Sequence, residues 1–177
     1  MTTTVSVDMS DLNDLIQELG EGVEHAVRPA AQAGADVIYR QAKQNAGAIK
    51  RKTGNLAASI YQAFDANASA AGHAVYNVSW NSRRAPHAYL VEFGHIQRYA
   101  VYVGKDGQWH TRVRPSAKGK PKPRRGASQA EKDAYYVLRQ GGPKQIAASP
   151  FMRPAAEKAD EAFTAAEAEF FKRINVQ

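Results

Sequence analysis

From Val23 to Gln41 the chain sets Val23, Val27, Ala30, Gly34, Val37, Ile38 and Gln41 three or four residues apart, which gathers them on one face of an α-helix. What constrains the fold is how little volume this helix carries. Ala26, Ala30, Ala31, Ala33, Gly34 and Ala35 leave room for another backbone to come close. Pro29 removes one intrahelical hydrogen bond, so it kinks or restarts the helix. Asp36, four residues before Arg40, adds an ion pair on the outer face. The spacing predicts one kinked helix over about residues 21–46. Ahead of it, Val5-Ser6-Val7 reads as a short strand. A brief helix through Leu12, Leu15, Ile16 and Leu19 follows, capped by Asp8 or Ser10 and ended by Gly20.

Beyond the long helix, residues 46–53 form a basic loop that leads to the turn at Thr53-Gly54, and Asn55–Ile60 is a turn of helix entering a strand. Residues 74–80 alternate Val75, Asn77 and Ser79 with Tyr76, Val78 and Trp80, the pattern of a half-buried strand. Asn81–Arg84 is a polar loop. A helix from Pro86 carries Tyr89, Leu90 and Phe93 and ends at Gly94, placed to cap it in the left-handed conformation. Residues 98–103 and 108–113 flank Gly104-Lys105-Asp106-Gly107 and predict a β-hairpin. Residues 114–128 lack periodicity and read as a flexible loop, and a mixed stretch follows through Tyr135–Leu138 to Gly141-Gly142. The last helix opens at Pro150 and tolerates Pro154 in its first turn. Its stripe is Ala155, Ala159, Ala162, Phe163, Ala166, Phe170 and Ile174.

A chain of 177 residues is one domain's length. It has no cysteine, which excludes disulfides, thiolate metal sites and thiol chemistry. No apolar run is long enough to span a bilayer, and residues 1–5 lack the character of a secretory signal. The net charge of +7 is localised. Arg112, Arg114, Lys118, Lys120, Lys122, Arg124 and Arg125 lie together without an acidic residue and equal the whole excess, leaving the remainder neutral in sum.

Candidate chemistry is sparse. His87, Glu92 and His95 are the nearest approach to a metal set, but they fit no zinc spacing, and Gly94 separates His95 from the helix. Glu92 suits an ion pair or the capping of backbone amides. No serine lies in a Gly-x-Ser-x-Gly elbow, and no phosphate-binding glycine loop occurs. Nothing positive argues for an enzyme, a cofactor or a metal. The basic run reads as an assembly arm on an acidic neighbour, a non-specific DNA contact, or a solvated loop. Tyr99, Tyr102 and Trp109 fit cross-strand packing better than base stacking. Phe151, Phe163, Phe170 and Phe171 fit core and interface.

Three motifs remain: Lys52-Thr53-Gly54-Asn55-Leu56, then Tyr89-Leu90-Val91-Glu92-Phe93-Gly94-His95, then Ser149-Pro150-Phe151-Met152-Arg153-Pro154. In this order they resemble the neck, or tail-completion, proteins of long-tailed bacteriophages, over roughly residues 20–173. The resemblance implies that Thr53, Gly54, Leu56, Glu92, Phe93, Gly94, Pro150, Phe151, Arg153 and Pro154 shape the subunit and that none is catalytic. It implies a virion protein assembled in the host cytoplasm, forming a ring at the head–tail junction, sixfold rather than twelvefold. The partners implied are head-closure or connector and tail-terminator or tail-tube proteins, with non-specific contact to DNA in the channel and no membrane. The alternative is a nucleic-acid-binding module acting through residues 112–125. About 55 residues separate Gly94 from Pro150, more than the family pattern has. The expected fold is α+β: a single domain over 1–177, with the long kinked N-terminal helix and the C-terminal helix packed on a small antiparallel sheet, and a hairpin and basic arm inserted at about 96–148.

Overall fold

The computed structural model describes residues 10–49, 54–107 and 109–174, with the side chains of 10–16, 18 and 19 left aside. The chain mixes helix and antiparallel strand, as the α+β expectation requires, and divides into two compact units. One comprises residues 1–88 with 150–177, the other residues 89–149. The segment expected as an insertion, 96–148, lies wholly within the second. The strand expected at Val5–Val7 falls outside the described residues.

In the first unit, α1 runs from Ser10 to Ala48 as 39 continuous residues with Pro29 inside it. The expected break at Gly20 is corrected, and of the two outcomes open at Pro29 the helix runs on as one rather than restarting. A helical glycine costs only about 1 kcal/mol relative to alanine, too little to end a helix whose flanking turns are in place. Asp36 and Arg40 form the expected ion pair. Ala26, Ala30, Ala42 and Ala46 are buried, a four-residue ridge of small side chains.

Gly54, at φ +63°, precedes α2 (Asn55–Ser59), and α2 leads directly into β1 (Ile60–Phe64). β1 pairs antiparallel with β2 (Tyr76–Trp80), setting Ile60 opposite Trp80, Gln62 opposite Val78 and Phe64 opposite Tyr76. The face carrying Tyr76, Val78 and Trp80 is therefore shared with Ile60, Gln62 and Phe64. Phe64 and Tyr76 touch at 5.4 Å between ring centres, a cross-strand aromatic pair, and the Arg28 guanidinium of α1 sits 4.3 Å over the Phe64 ring.

The expected single C-terminal helix is two: α5 (Arg153–Ala156) and α6 (Ala159–Ile174). α1 packs mainly against α6. A β-carbon at Gly34 would lie 2.9 Å from the Ala162 carbonyl oxygen and 3.4 Å from the Ala166 β-carbon, so the small-residue stripe does admit a second backbone. Ala162, Ala166, Phe170 and Ile174 are half-buried, but Ala159 and Phe163 are exposed. The stripe is corrected at those two positions, because the half-buried face of α6 is centred on Ala162, Ala165, Ala166 and Glu169, which leaves Ala159 and Phe163 at or beyond its edge.

The second unit begins within α3 (Ala88–Phe93), which ends as expected at Gly94, φ +73°. β3 (His95–Gln97) pairs with the distant β6 (Lys144–Ile146). β4 (Val101–Val103) and β5 (Trp109–Thr111) make the expected hairpin, with Tyr102 opposite His110. Its turn is closed by the Gly107 amide donating to the Gly104 carbonyl at 3.0 Å. The single small sheet of the expectation is three two-stranded ladders among the described residues.

At the base of the hairpin three segments meet. The amide of Ala100 donates to Val137, that of Val137 to Arg112, and that of Arg112 to Ala100, at 2.9, 2.9 and 2.8 Å. Residues 136–139 are thus wedged between the hairpin's two legs, which explains how a ribbon too short to stand alone is braced. α4 (Gln129–Tyr135) leads into this wedge and was missed in the sequence reading. Its start was legible: Ser128-Gln129-Ala130-Glu131 has the spacing of a capping box, and the Ser128 hydroxyl accepts from the Glu131 amide at 3.2 Å.

Candidate functional site

The third motif is the best anchored. Phe151 is wholly buried and meets Trp80 edge-to-face at 5.7 Å between ring centres. The Asn45 side-chain amide, near the end of α1, donates to the Phe151 carbonyl at 3.1 Å. Pro154 lies in the first turn of α5, and Ala155 is fully buried. Pro150 is half-buried and Arg153 exposed.

In the first motif Thr53 lies outside the described residues, Gly54 begins α2 and Leu56 is buried. Its described residues and, from Pro150 on, the third motif lie in the first unit. The middle motif, Tyr89–His95, lies wholly in the second unit. Glu92 is 1 % exposed. Gly94 could accept no side chain, since a β-carbon would stand 2.7 Å from the Ile146 carbonyl oxygen and 2.9 Å from the Ala148 nitrogen. Phe93, expected to shape the fold, instead lies 49 % exposed and stacks on exposed Tyr89 at 4.7 Å. Leu90 and Ile96 are exposed as well.

His87 is exposed in the first unit, while Glu92 and His95 lie in the second. Among the described residues no group of three metal-ligating side chains is assembled.

The basic run is irregular, but it is not the free arm expected. Residues 115–117 form a 3-10 turn with Ala117 buried. The Tyr135 hydroxyl donates to the Lys120 carbonyl at 3.3 Å and the Lys132 ammonium to the Arg125 carbonyl at 2.9 Å. Arg114 is structural: its Nε donates to the Tyr136 carbonyl at 3.0 Å, and its amide to that of Tyr135 at 2.9 Å. The other six cations, Arg112, Lys118, Lys120, Lys122, Arg124 and Arg125, are exposed. None of the seven makes an ion pair among the described residues. Arg112 and Lys118 line an open cleft of about 540 Å³ with Tyr102, Val113, Gly119 and Tyr135. Sequence reasoning found the cations but not this cleft, which needs the hairpin and α4 brought together.

A polar cluster that the sequence did not announce holds the lobe. Arg98 donates through Nε to Asp133 Oδ1 at 3.0 Å and through Nη2 to Oδ2 at 2.6 Å. Tyr99 donates its hydroxyl to Asp133 at 2.8 Å, and Gln129 donates to both Tyr99 and Asp133, at 2.7 and 2.8 Å. The paired hydrogen bonds from Arg98, then those from Gln129 and Tyr99, hold the Asp133 carboxyl well below the usual carboxylate range. Burial, then the hydrogen bond to Asp133, pushes the Tyr99 hydroxyl up. No local pattern links residues 34 or 35 positions apart.

Among the described residues the core is lightly packed: Phe151 and Glu92 are the large side chains that are completely buried, and apolar residues from Tyr89 to Phe171 stand exposed. The family model described as "Bacteriophage HK97-gp10, putative tail-component" matches residues 10–94, so over that stretch, just under half of the chain, the chain is similar to this phage tail-component family, in line with the resemblance to neck and tail-completion proteins. The match takes in the first two motifs and ends at Gly94. No curated protein and no solved structure gives a significant match to the chain. The similarity supports a structural role in a phage tail. No helix among the described residues is long and apolar enough to cross a membrane.

Proposed function

We propose that the chain is a neck or tail-completion subunit that closes into a ring at the head–tail junction, joins the connector to the tail and lets DNA pass. The match of residues 10–94 to a phage tail-component model carries this reading. Phe93, Tyr89, Ile96 and Trp109 support it, because apolar side chains left outside a thin core call for a partner surface. A cyclic, heterologous contact must close on itself, and sixfold closure is the expectation. The neighbours are a head-closure or connector ring on one side and a tail-terminator or tail-tube ring on the other. No catalytic step is assigned to any residue.

The test is the mass of the purified protein across a concentration series by native mass spectrometry, together with its position in virions by cryo-electron microscopy. Density for the chain between connector and tube is the expected result. A subunit found only in the distal tail, or never in virions, overturns the reading.

Six exposed cations with no ion-pair partner among the described residues favour one second reading, a non-specific nucleic-acid contact. Reversing Lys118, Lys120 and Lys122 separates the two better than deleting residues 114–126, since a deletion also removes buried Ala117 and the Arg114 anchor. Loss of DNA retention with head–tail joining intact would favour the nucleic-acid reading.

A further inference from the structure

Charge in this chain is divided between its two units. Residues 89–149 carry twelve Lys and Arg against four Asp and Glu, and the rest of the chain carries twelve against thirteen. Six of those thirteen acids, Asp8, Asp11, Asp14, Glu18, Glu21 and Glu24, precede the first basic residue, Arg28. Five of them lie on the opening turns of α1, where Glu21 and Glu24 are exposed. The opposite charge is concentrated on the basic lobe. Its six exposed cations have no acidic partner among the described residues, and its Arg112–Lys118 cleft is walled by Tyr102 and Tyr135.

We infer that the basic lobe of residues 112–125 is the docking surface for a second copy of this chain, which it engages through the acidic first turns of that copy's α1. The inference rests on the ring reading above and supplies its contact. Charge complementarity selects the occupant: one molecule bears both a surface rich in unpaired cations and a helical segment of five acids without a base. The lobe is held in shape from behind, by the Arg98–Asp133–Tyr99–Gln129 cluster and by Tyr135 and Lys132 gripping the carbonyls of Lys120 and Arg125. A held surface loses less conformational freedom on docking than a free arm does. Because donor and acceptor surfaces differ, the contact is head-to-tail, as ring closure requires. Such a contact steers encounter and fixes register, and it weakens with salt.

Charge reversal tests it. Lys118→Glu with Lys120→Glu and Lys122→Glu, or Glu21→Lys with Glu24→Lys, should each abolish the oligomer at 0.15 M salt, roughly the physiological ionic strength. The five changes combined should restore it, while the circular dichroism of every variant stays that of the wild type. Absence of cysteine makes a second measurement clean. Glu21→Cys protein mixed with Lys120→Cys protein should form a disulfide-linked heterodimer under mild oxidation, necessarily between molecules. A ring untouched by either reversal, with no such heterodimer, overturns this contact and leaves the ring reading standing. A wild-type chain that is monomeric at every concentration and yields no heterodimer overturns both. Loss of DNA retention in the lysine variant alone, with its oligomer intact, gives the lobe to nucleic acid and overturns the contact.

Discussion

Glycines show how one missing β-carbon can either matter or not. At Gly34 a β-carbon would press on the Ala162 carbonyl oxygen at 2.9 Å, and backbone cannot swing aside as the end of a long side chain can. Gly34→Val should destabilise the first unit by about 1–3 kcal/mol through overpacking, read as a lowered thermal midpoint. Gly20 has nothing within 4 Å, so Gly20→Ala should gain up to about 1 kcal/mol from helix propensity. A matched pair sits at the two left-handed caps. Gly54→Ala meets open space and should cost only about 1–2 kcal/mol of backbone strain. Gly94→Ala adds to that strain a collision with Ile146 and Ala148 and should cost distinctly more, with urea unfolding as the measurement. Phe151 is a different kind of anchor. Removing its buried ring, which packs edge-to-face on Trp80, should cost about 3–5 kcal/mol.

At the scale of elements, the second unit is held by ladders of three residues and by one ionised side chain. Asp133 joins α4 to the strand residues Arg98 and Tyr99. Its pKa in the folded chain lies below the value of about 3.9 expected when unfolded, so its stabilising effect is complete above that value and is lost as pH falls through the folded pKa. Tyr99 works in the opposite sense. Its pKa is raised, so its contribution is present below about 10, the unfolded value, and is lost as pH rises through the folded one. Amide exchange of residues 98–100 and 136–139 should therefore stay slow from about pH 4 to 10 once corrected for intrinsic rates, and accelerate outside that window. Asp133→Ala should abolish the acid limb of that profile. An acid limb unchanged in this variant would remove Asp133 from the role.

For the whole molecule, the placement of charge and apolar surface matters more than any single site. A subunit whose excess of positive charge falls on residues 89–149, beside exposed Tyr102 and Trp109, should associate in a salt-dependent way. Oligomer mass should fall when salt is raised from 0.05 to about 0.5 M, since a Debye length of about 8 Å at physiological strength shortens towards 3 Å at 1 M. Light scattering across a salt series reads it directly. An oligomer indifferent to salt would place the contact on the apolar residues of α3 and β3 instead.

The sequence alone determined the parts whose physics is local. The small-residue face of α1, the alternation of β2, the Gly94 cap, the hairpin with its Asp-Gly turn and the localisation of charge all follow from spacing and residue type, and the motif order pointed to phage neck proteins, in line with the tail-component model that matches residues 10–94. Even α4 was legible in its capping box. Tertiary structure alone decided what depends on distant residues: the wedge of residues 136–139 into the hairpin, the pairing of β3 with β6, the Asp133 cluster and the Arg112–Lys118 cleft. Each joins positions between which sequence pattern carries no signal, because a hydrogen bond formed across a long loop leaves no periodic trace. The stripe on α6 shows the same boundary from the other side. Its period was readable, but the half-buried face is centred on Ala162, Ala165, Ala166 and Glu169 and leaves Phe163 outside, and only packing against α1 could say which residues of that period face in.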